Sequence, residues 1–196
     1  VSAAGKRDAR ILKKKIGVLS LQGCVQAHRK HIEALGATFQ EVKYSEDFQS
    51  IDALILPGGE SSVILKNLEL FQMFDELKNY SLTHPVWGIC AGAILLSSAV
   101  RGSNQKSLGV VDCEVERNAY GRQSESFVEN FEGESVAFIR APKIVSFNVE
   151  ASQILATHKG ETTALRQGNK MISSFHPELS EKTPSKMHQL FFETLS

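Results

Sequence analysis

Little in this chain suits it to crossing a membrane, cross-linking a scaffold or gripping a polyanion. It has no uninterrupted run of 18 apolar residues, so no helical membrane span is expected, and no secretory apolar region is evident. There are three cysteines, Cys24, Cys90 and Cys113. An odd number without paired or metal-type spacing argues against a disulfide framework and a zinc site, and a reducing, cytoplasmic setting is the expectation. Neither charge sign is in excess, with 22 basic against 22 acidic side chains, so nothing marks the chain as a nucleic-acid binder. No metal or other cofactor is called for.

What is present is ordinary globular material. The 196 residues, 42% hydrophobic and 22% charged, suit one domain with a core large enough to need no staples. Charge is uneven only at the start. Lys6, Arg7, Arg10, Lys13, Lys14 and Lys15 crowd there with Asp8 as the one acid, and residues 1–15 are expected to be a basic tail outside a domain spanning 16–196.

Strand-like and helix-like segments alternate through the first hundred residues. Ile16 to Leu21, Thr38 to Val42, Asp52 to Leu56 and Val86 to Ile89 read as strands. Between them, Val25 to Leu35 puts Val25, His28, Ile32 and Leu35 near one helical face, with Gly36 as its stop. A helix through Leu65, Leu68 and Leu70 follows, with Ser61 or Ser62 as its cap. Phe71 to Tyr80 and Ala91 to Ala99 complete the helices of this half. This is the rhythm of a parallel sheet. The second half reads mostly as strands: Leu108 to Val115, Val136 to Ile139, Ile144 to Val149, Ile154 to His158, Thr162 to Arg166 and Met171 to Phe175. A helix with an apolar stripe then closes it, Pro184 to Leu195. The expected fold is α/β: a three-layer sandwich with a mostly parallel central sheet flanked by helices and a partly antiparallel extension.

The chemistry begins at Gly88-Ile89-Cys90-Ala91-Gly92, directly after an apolar strand. The string has the form of a nucleophile elbow, a sharp strand-to-helix turn that exposes its central side chain. A helix N-terminus there favours thiolate, although the same string also fits a tight turn around an inert thiol. A nucleophile needs a base, and the base needs an orienting group. His176-Pro177-Glu178 supplies both types at the end of another apolar segment. Pro57-Gly58-Gly59-Glu60-Ser61-Ser62 also follows a buried strand, and its glycines allow backbone N–H groups to approach a ligand. One of them, with the N–H of Ala91, could bind a developing oxyanion. Cys24 begins a helix with no base evident near it, and Cys113 alternates into a core. His28 and His31 read as structural or partner-facing, and His188 has no triad context.

Together these strings resemble the class I, triad-type glutamine amidotransferases. Further strings resemble one branch, the glutaminase subunits of pyridoxal 5′-phosphate synthase: Gly17 to Gly23, Val115 to Gln123 with Ser126-Phe127, Phe138 to Pro142 and Ser174 to Leu179. The likeness runs in order from about Ile16 to the C-terminus. It implies that Cys90 attacks the carboxamide of L-glutamine, His176 moves the proton and Glu178 orients the imidazole. It implies an oxyanion hole from the Gly59 and Ala91 N–H groups, and glutamine contacts from Gly58, Gly59, Glu60, Arg117, Ile139 and Arg140. Gln22 is expected to organise the oxyanion region at a subunit contact. The implied partner is a synthase subunit that accepts ammonia. Departures are small: Ser62, Ile89 and Tyr120 stand where Thr, Thr and Phe are common. A histidine-pathway glutaminase, a related cysteine peptidase and a degenerate, non-catalytic partner protein are the competing expectations.

Overall fold

The computed structural model describes residues 14–117, 119 and 126–195. The basic tail up to residue 13 lies outside the described residues, as do Asn118 and Tyr120 to Gln123 of the Val115 to Gln123 string. In chain order the described strands are β1 (Lys15–Leu19), β2 (Thr38–Val42), β3 (Ala53–Leu56), β4 (Val86–Ile89), β5 (Ser97–Arg101), β6 (Val111–Glu116), β7 (Phe127–Phe131), β8 (Glu134–Phe138), β9 (Lys143–Phe147), β10 (Gln153–His158), β11 (Glu161–Gln167) and β12 (Lys170–Ser173). The α-helices are α1 (Arg29–Ala34), α2 (Ser61–Leu70), α3 (Phe74–Thr83), α4 (Ala91–Leu96) and α5 (Lys186–Phe192).

Seven strands form the central sheet in the order β10-β11-β12-β4-β3-β1-β2. From β12 to β2 every pairing is parallel, and β11 and β10 extend the sheet antiparallel. The alternation along each strand shows why both faces are covered. Leu54 and Leu56 of β3 and Val86 of β4 enter one apolar core with Ile64 and Leu68 of α2, Leu77 of α3 and Ile94 and Leu95 of α4. Ala53 and Ile55, Trp87 and Ile89, and Ile16 and Val18 of β1 enter the other core with Ile32 of α1 and Met187 and Phe191 of α5. Strands buried on both faces must be apolar throughout, as β3 and β4 are. The three-layer α/β architecture is the expected one.

Two smaller sheets sit on opposite faces. The sheet β5-β6-β9 contributes Val111, Cys113, Val115 and Ile144 to the first core, and the hairpin β7-β8 contributes Val136 and Phe138 to the second. One local signal ended a helix where expected. Gly36, at φ 81°, closes the first helical stretch. That stretch is split, a 3₁₀ turn at Gln26–His28 leading into α1.

Three details differ from expectation. Ser61 is the first residue of α2 rather than its cap, and Glu60 holds the capping position without a side-chain bond. The helix after Cys90 ends at Leu96, not Ala99, because Ser97 turns the chain with its Oγ donating to the Ile94 carbonyl at 2.8 Å. Ser97–Arg101 then pairs in parallel with β6. Strand β7 was not anticipated; its alternation is between half-buried and exposed positions rather than apolar and polar ones.

Candidate active site

The site lies where neighbouring parallel strands end, the usual position for a ligand in an open α/β sheet. Strand β4 delivers Cys90, β12 runs on towards His176, β3 ends in Pro57-Gly58-Gly59 and β1 ends in the loop holding Gln22.

Cys90 adopts φ 49° and ψ −101°, a conformation costly for any residue with a Cβ and typical of a nucleophile at a strained elbow. Its N–H donates to the Ser173 carbonyl at 2.8 Å, tying the elbow to β12. The flanking glycines are steric necessities. A Cβ on Gly92 would lie 2.1 Å from the Leu56 carbonyl oxygen, and one on Gly88 would lie 2.4 Å from that of Gly92. Helix α4 can therefore press against β3 and β4 only with glycine at both positions. The helix is six residues long and wholly buried. What it offers a ligand is the unshared N–H groups of its first turn more than a long macrodipole.

His176 is held from two sides. Its backbone N–H donates to the Ala137 carbonyl of β8 at 2.8 Å, so the hairpin β7-β8 places it. Its Nδ1 lies 2.7 Å from Glu178 Oε1. Both side chains are buried, at 7% and 0% exposure. Burial alone would lower the His176 pKa, but the Cys90 thiol and the Glu178 carboxylate together raise it to about 11. Burial likewise works to raise Glu178, and its bond to His176 holds it below the ordinary carboxylate value instead. The imidazole is thus stabilised in its protonated form between the Cys90 sulfur and the Glu178 carboxylate.

The glycine turn packs against these groups. A Cβ on Gly58 would lie 2.3 Å from His176 Cε1, and one on Gly59 would lie 2.4 Å from Gln22 Oε1. Gln22 Oε1 accepts the Glu60 N–H at 2.8 Å, and the Gly58 carbonyl accepts the Cys24 N–H at 3.0 Å. The Gln22 loop therefore fixes the Gly58-Gly59-Glu60 backbone.

A cleft of about 270 Å³ opens over the thiol, and Gln22, Gly59, Glu60, Arg117, Ile139 and Arg140 all line it beside Cys90 and His176. Gly58 and Ala91 lie behind this lining, Gly58 under the imidazole and Ala91 buried next to Cys90. Arg140 Nη1 pairs with Glu60 Oε1 at 2.5 Å. Arg140 itself has φ 47°. The Ile139 carbonyl lies 3.9 Å from Cys90 Sγ. Arg117 Nη1 donates to Gln105 Oε1 at 2.7 Å, and Ser61 Oγ donates to the same oxygen at 3.1 Å. Gln105 is a site residue that the sequence did not suggest; it sits in an irregular segment with no periodicity or motif to mark it.

Cys24 departs from expectation. It was expected to have no base nearby, yet its Sγ, a His176 ring nitrogen and a Glu178 carboxylate oxygen lie within 4.8 Å of one another. Burial first, and then the Glu178 carboxylate, push its pKa up, which favours the unreactive thiol. This is the one metal-type grouping among the described residues. His176 and Glu178 are already bonded to each other, so a metal using both would have to break that bond. Cys113 sits in the core, where burial pushes its thiol up to about 12.

An open, mostly parallel sheet with a buried thiol, imidazole and carboxylate converging at its strand ends is the arrangement of a glutamine amidotransferase. The chain belongs to the SNO glutamine amidotransferase family, whose profile matches residues 18–196. It is 46% identical to the pyridoxal 5′-phosphate synthase subunit PdxT of Francisella philomiragia over 182 residues, covering 90% of this chain and 96% of that protein. It is 41% identical to the PdxT of Thermosipho africanus over 184 residues, again covering 90% and 96%. Among solved structures, a crystal structure of a glutamine amidotransferase superposes with a TM-score of 0.82 at 38% identity, covering 92% of this chain and 98% of that one. The PurLQS structure from Thermotoga maritima shares the fold at a TM-score of 0.60 and 15% identity, covering 93% and 97%. No helix among the described residues is long and apolar enough to cross a membrane.

Proposed function

We propose that this chain is the glutaminase of a pyridoxal 5′-phosphate synthase. It hydrolyses L-glutamine to L-glutamate and ammonia and delivers the ammonia to a synthase subunit. The observation that carries this reading is the meeting in one cleft of a thiol on a strained elbow, an imidazole held protonated beside it and a buried carboxylate. The synthase subunit as partner is supported by the names of the PdxT relatives.

Cys90 Sγ attacks the side-chain carboxamide carbon of glutamine. The proton that His176 holds passes to the leaving ammonia. Glu178 holds the imidazole in the tautomer that points Nε2 at the reaction. The N–H groups of Gly59 and Ala91 donate to the carboxamide oxygen as negative charge develops on it. A γ-glutamyl thioester remains, and water attacks it with His176 now acting as base, which releases glutamate and restores the thiol.

Recognition of a zwitterionic amino acid needs a cation and an acceptor. Glu60 and Arg140 supply both and bond to each other across the cleft. The substrate's ammonium and carboxylate replace each as the other's partner. Arg117, positioned by Gln105, offers a second guanidinium for the carboxylate. Gly58 and Ile139 shape the backbone walls. Gln22 acts through the Glu60 N–H, keeping the Gly59 N–H in line for the oxyanion. One amidotransferase domain does this, and the basic tail outside it stops short of Lys14 and Lys15, which bond to Asp52 and begin β1; the cytoplasm is the site of action.

Steady-state glutaminase kinetics with the synthase subunit present test the assignment. Cys90→Ala and His176→Ala are each expected to lower kcat by at least about 10³-fold. Glu178→Gln should cost less than either. Full turnover by Cys90→Ala would exclude the thiol mechanism.

A further inference from the structure

Behind the cleft lies a buried group of histidines that the proposed reaction does not use. His28, His31 and His188 are all fully buried. His31 Nδ1 accepts the Ser185 N–H at 3.0 Å, and its Nε2 lies 3.1 Å from the Glu178 carbonyl oxygen. With Nδ1 accepting, His31 carries its proton on Nε2 and donates to Glu178. His31 stacks on His188 with ring centroids 4.4 Å apart. His188 Nδ1 lies 2.7 Å from Ser185 Oγ, and His188 Nε2 lies 2.9 Å from His28 Nδ1.

Two buried polar atoms in this region have no partner among the described residues: His28 Nε2 and Glu178 Oε2. The 3₁₀ turn Gln26–His28 packs against the turn Pro177–Leu179 that carries Glu178. Burial holds His28 and His188 below the ordinary imidazole range, so each has one ring proton to place at neutral pH. Only two polarities of the chain exist. If His28 Nδ1 carried the proton, His28 Nε2 would be an acceptor like Glu178 Oε2, neither could satisfy the other, and both would stay unpaired, at a cost typical of buried polar groups. With the opposite polarity Ser185 Oγ–H donates to His188 Nδ1, His188 Nε2–H donates to His28 Nδ1, and His28 Nε2–H is free to donate onward.

We infer that His28 is a positioning residue for the glutaminase: its Nε2–H donates to Glu178 Oε2 through one bridging water, and so completes a one-way donor chain from Ser185 through His188. One Glu178 oxygen then orients His176 while the other is anchored from behind. The carboxylate stays ionised and fixed while the imidazole gains and loses its proton. His28 touches neither substrate nor thiol; it acts through Glu178. The kinetic part of this inference rests on the proposed reaction, whereas the proton positions do not.

Two measurements test it. Long-range ¹H–¹⁵N spectra of the wild-type chain should show His28 and His188 as neutral Nε2–H tautomers. Glutaminase kinetics with the synthase subunit should show His28→Phe, which removes the donor, lowering kcat about tenfold, the loss of one hydrogen bond to an ionised group. KM should stay within about twofold. His28→Gln, whose amide can replace the Nε2 donor, should recover most of kcat. A His28 proton on Nδ1 overturns the inference, as does a His28→Gln variant no faster than His28→Phe or full kcat in His28→Phe. If the wild-type complex releases no glutamate, the reaction is what fails, and the tautomers still decide the donor chain.

Discussion

Cys90 shows how a costly backbone conformation is held in place by its neighbours. Its positive φ is tolerated because the elbow is tied to β12 through its own N–H and packed between two glycines. The buried histidines set a second, measurable property of the molecule. His28 has a pKa of about 4 against an ordinary 6.5 because burial penalises its charged form. Between those values the unfolded chain binds more protons, so stability falls as pH drops from 6.5 towards 4. For His28 alone the loss by pH 4 is about 3 kcal/mol. His188, shifted the same way, adds to it. His176 runs in the other sense. Its folded pKa of about 11 exceeds the ordinary 6.5, so the stability of its charged form is complete below 6.5 and is lost as pH rises towards 11. Urea unfolding across pH should therefore give greatest stability near neutrality, with the acid limb starting below about 6.5. A flat profile from pH 7 to 4.5 would contradict the buried neutral histidines. The sequence placed His28 on the buried face of its helix by spacing alone. It could not show that His188, 160 residues away, would meet it there.

At the level of elements, the strands of the parallel sheet were legible because burial on both faces requires continuous apolar runs, as in Ala53–Leu56 and Val86–Ile89. The misjudged pieces were those whose neighbours decide their state. Ser97–Arg101 became a strand through pairing with β6, and Phe127–Phe131 is a strand because it pairs with β8. That hairpin matters, since β8 supplies the carbonyl that holds the His176 backbone. The elbow glycines give a prediction of their own. Gly92→Ala would put a Cβ into the Leu56 carbonyl, a backbone atom that cannot move aside cheaply. It should lower stability by about 1–3 kcal/mol or more and abolish activity, whereas Gly160→Ala, in open space though at positive φ, should leave the site intact. Thermal unfolding of both variants checks this; an undisturbed Gly92→Ala would mean that α4 does not press on β3 as described.

Across the whole molecule, one feature of the sheet explains why distant strings form one site. The strands ending in the Gln22 loop, the glycine turn, Cys90 and His176 are successive neighbours, β1, β3, β4 and β12. The sequence motifs named the thiol, imidazole and carboxylate that meet at the cleft and most of its lining. Gln105, the approach of Cys24 to His176 and the support behind Glu178 were invisible to it, because each depends on contacts made across the fold. Glutamine hydrolysis at Cys90 is the central proposal. The most direct measurement is release of glutamate from L-glutamine by the purified chain, alone and with a pyridoxal 5′-phosphate synthase subunit, for the wild type and Cys90→Ala. Release should rise when the synthase subunit is added and disappear in Cys90→Ala. Wild-type release that survives the Cys90→Ala change, or no release with the synthase subunit present, would contradict it.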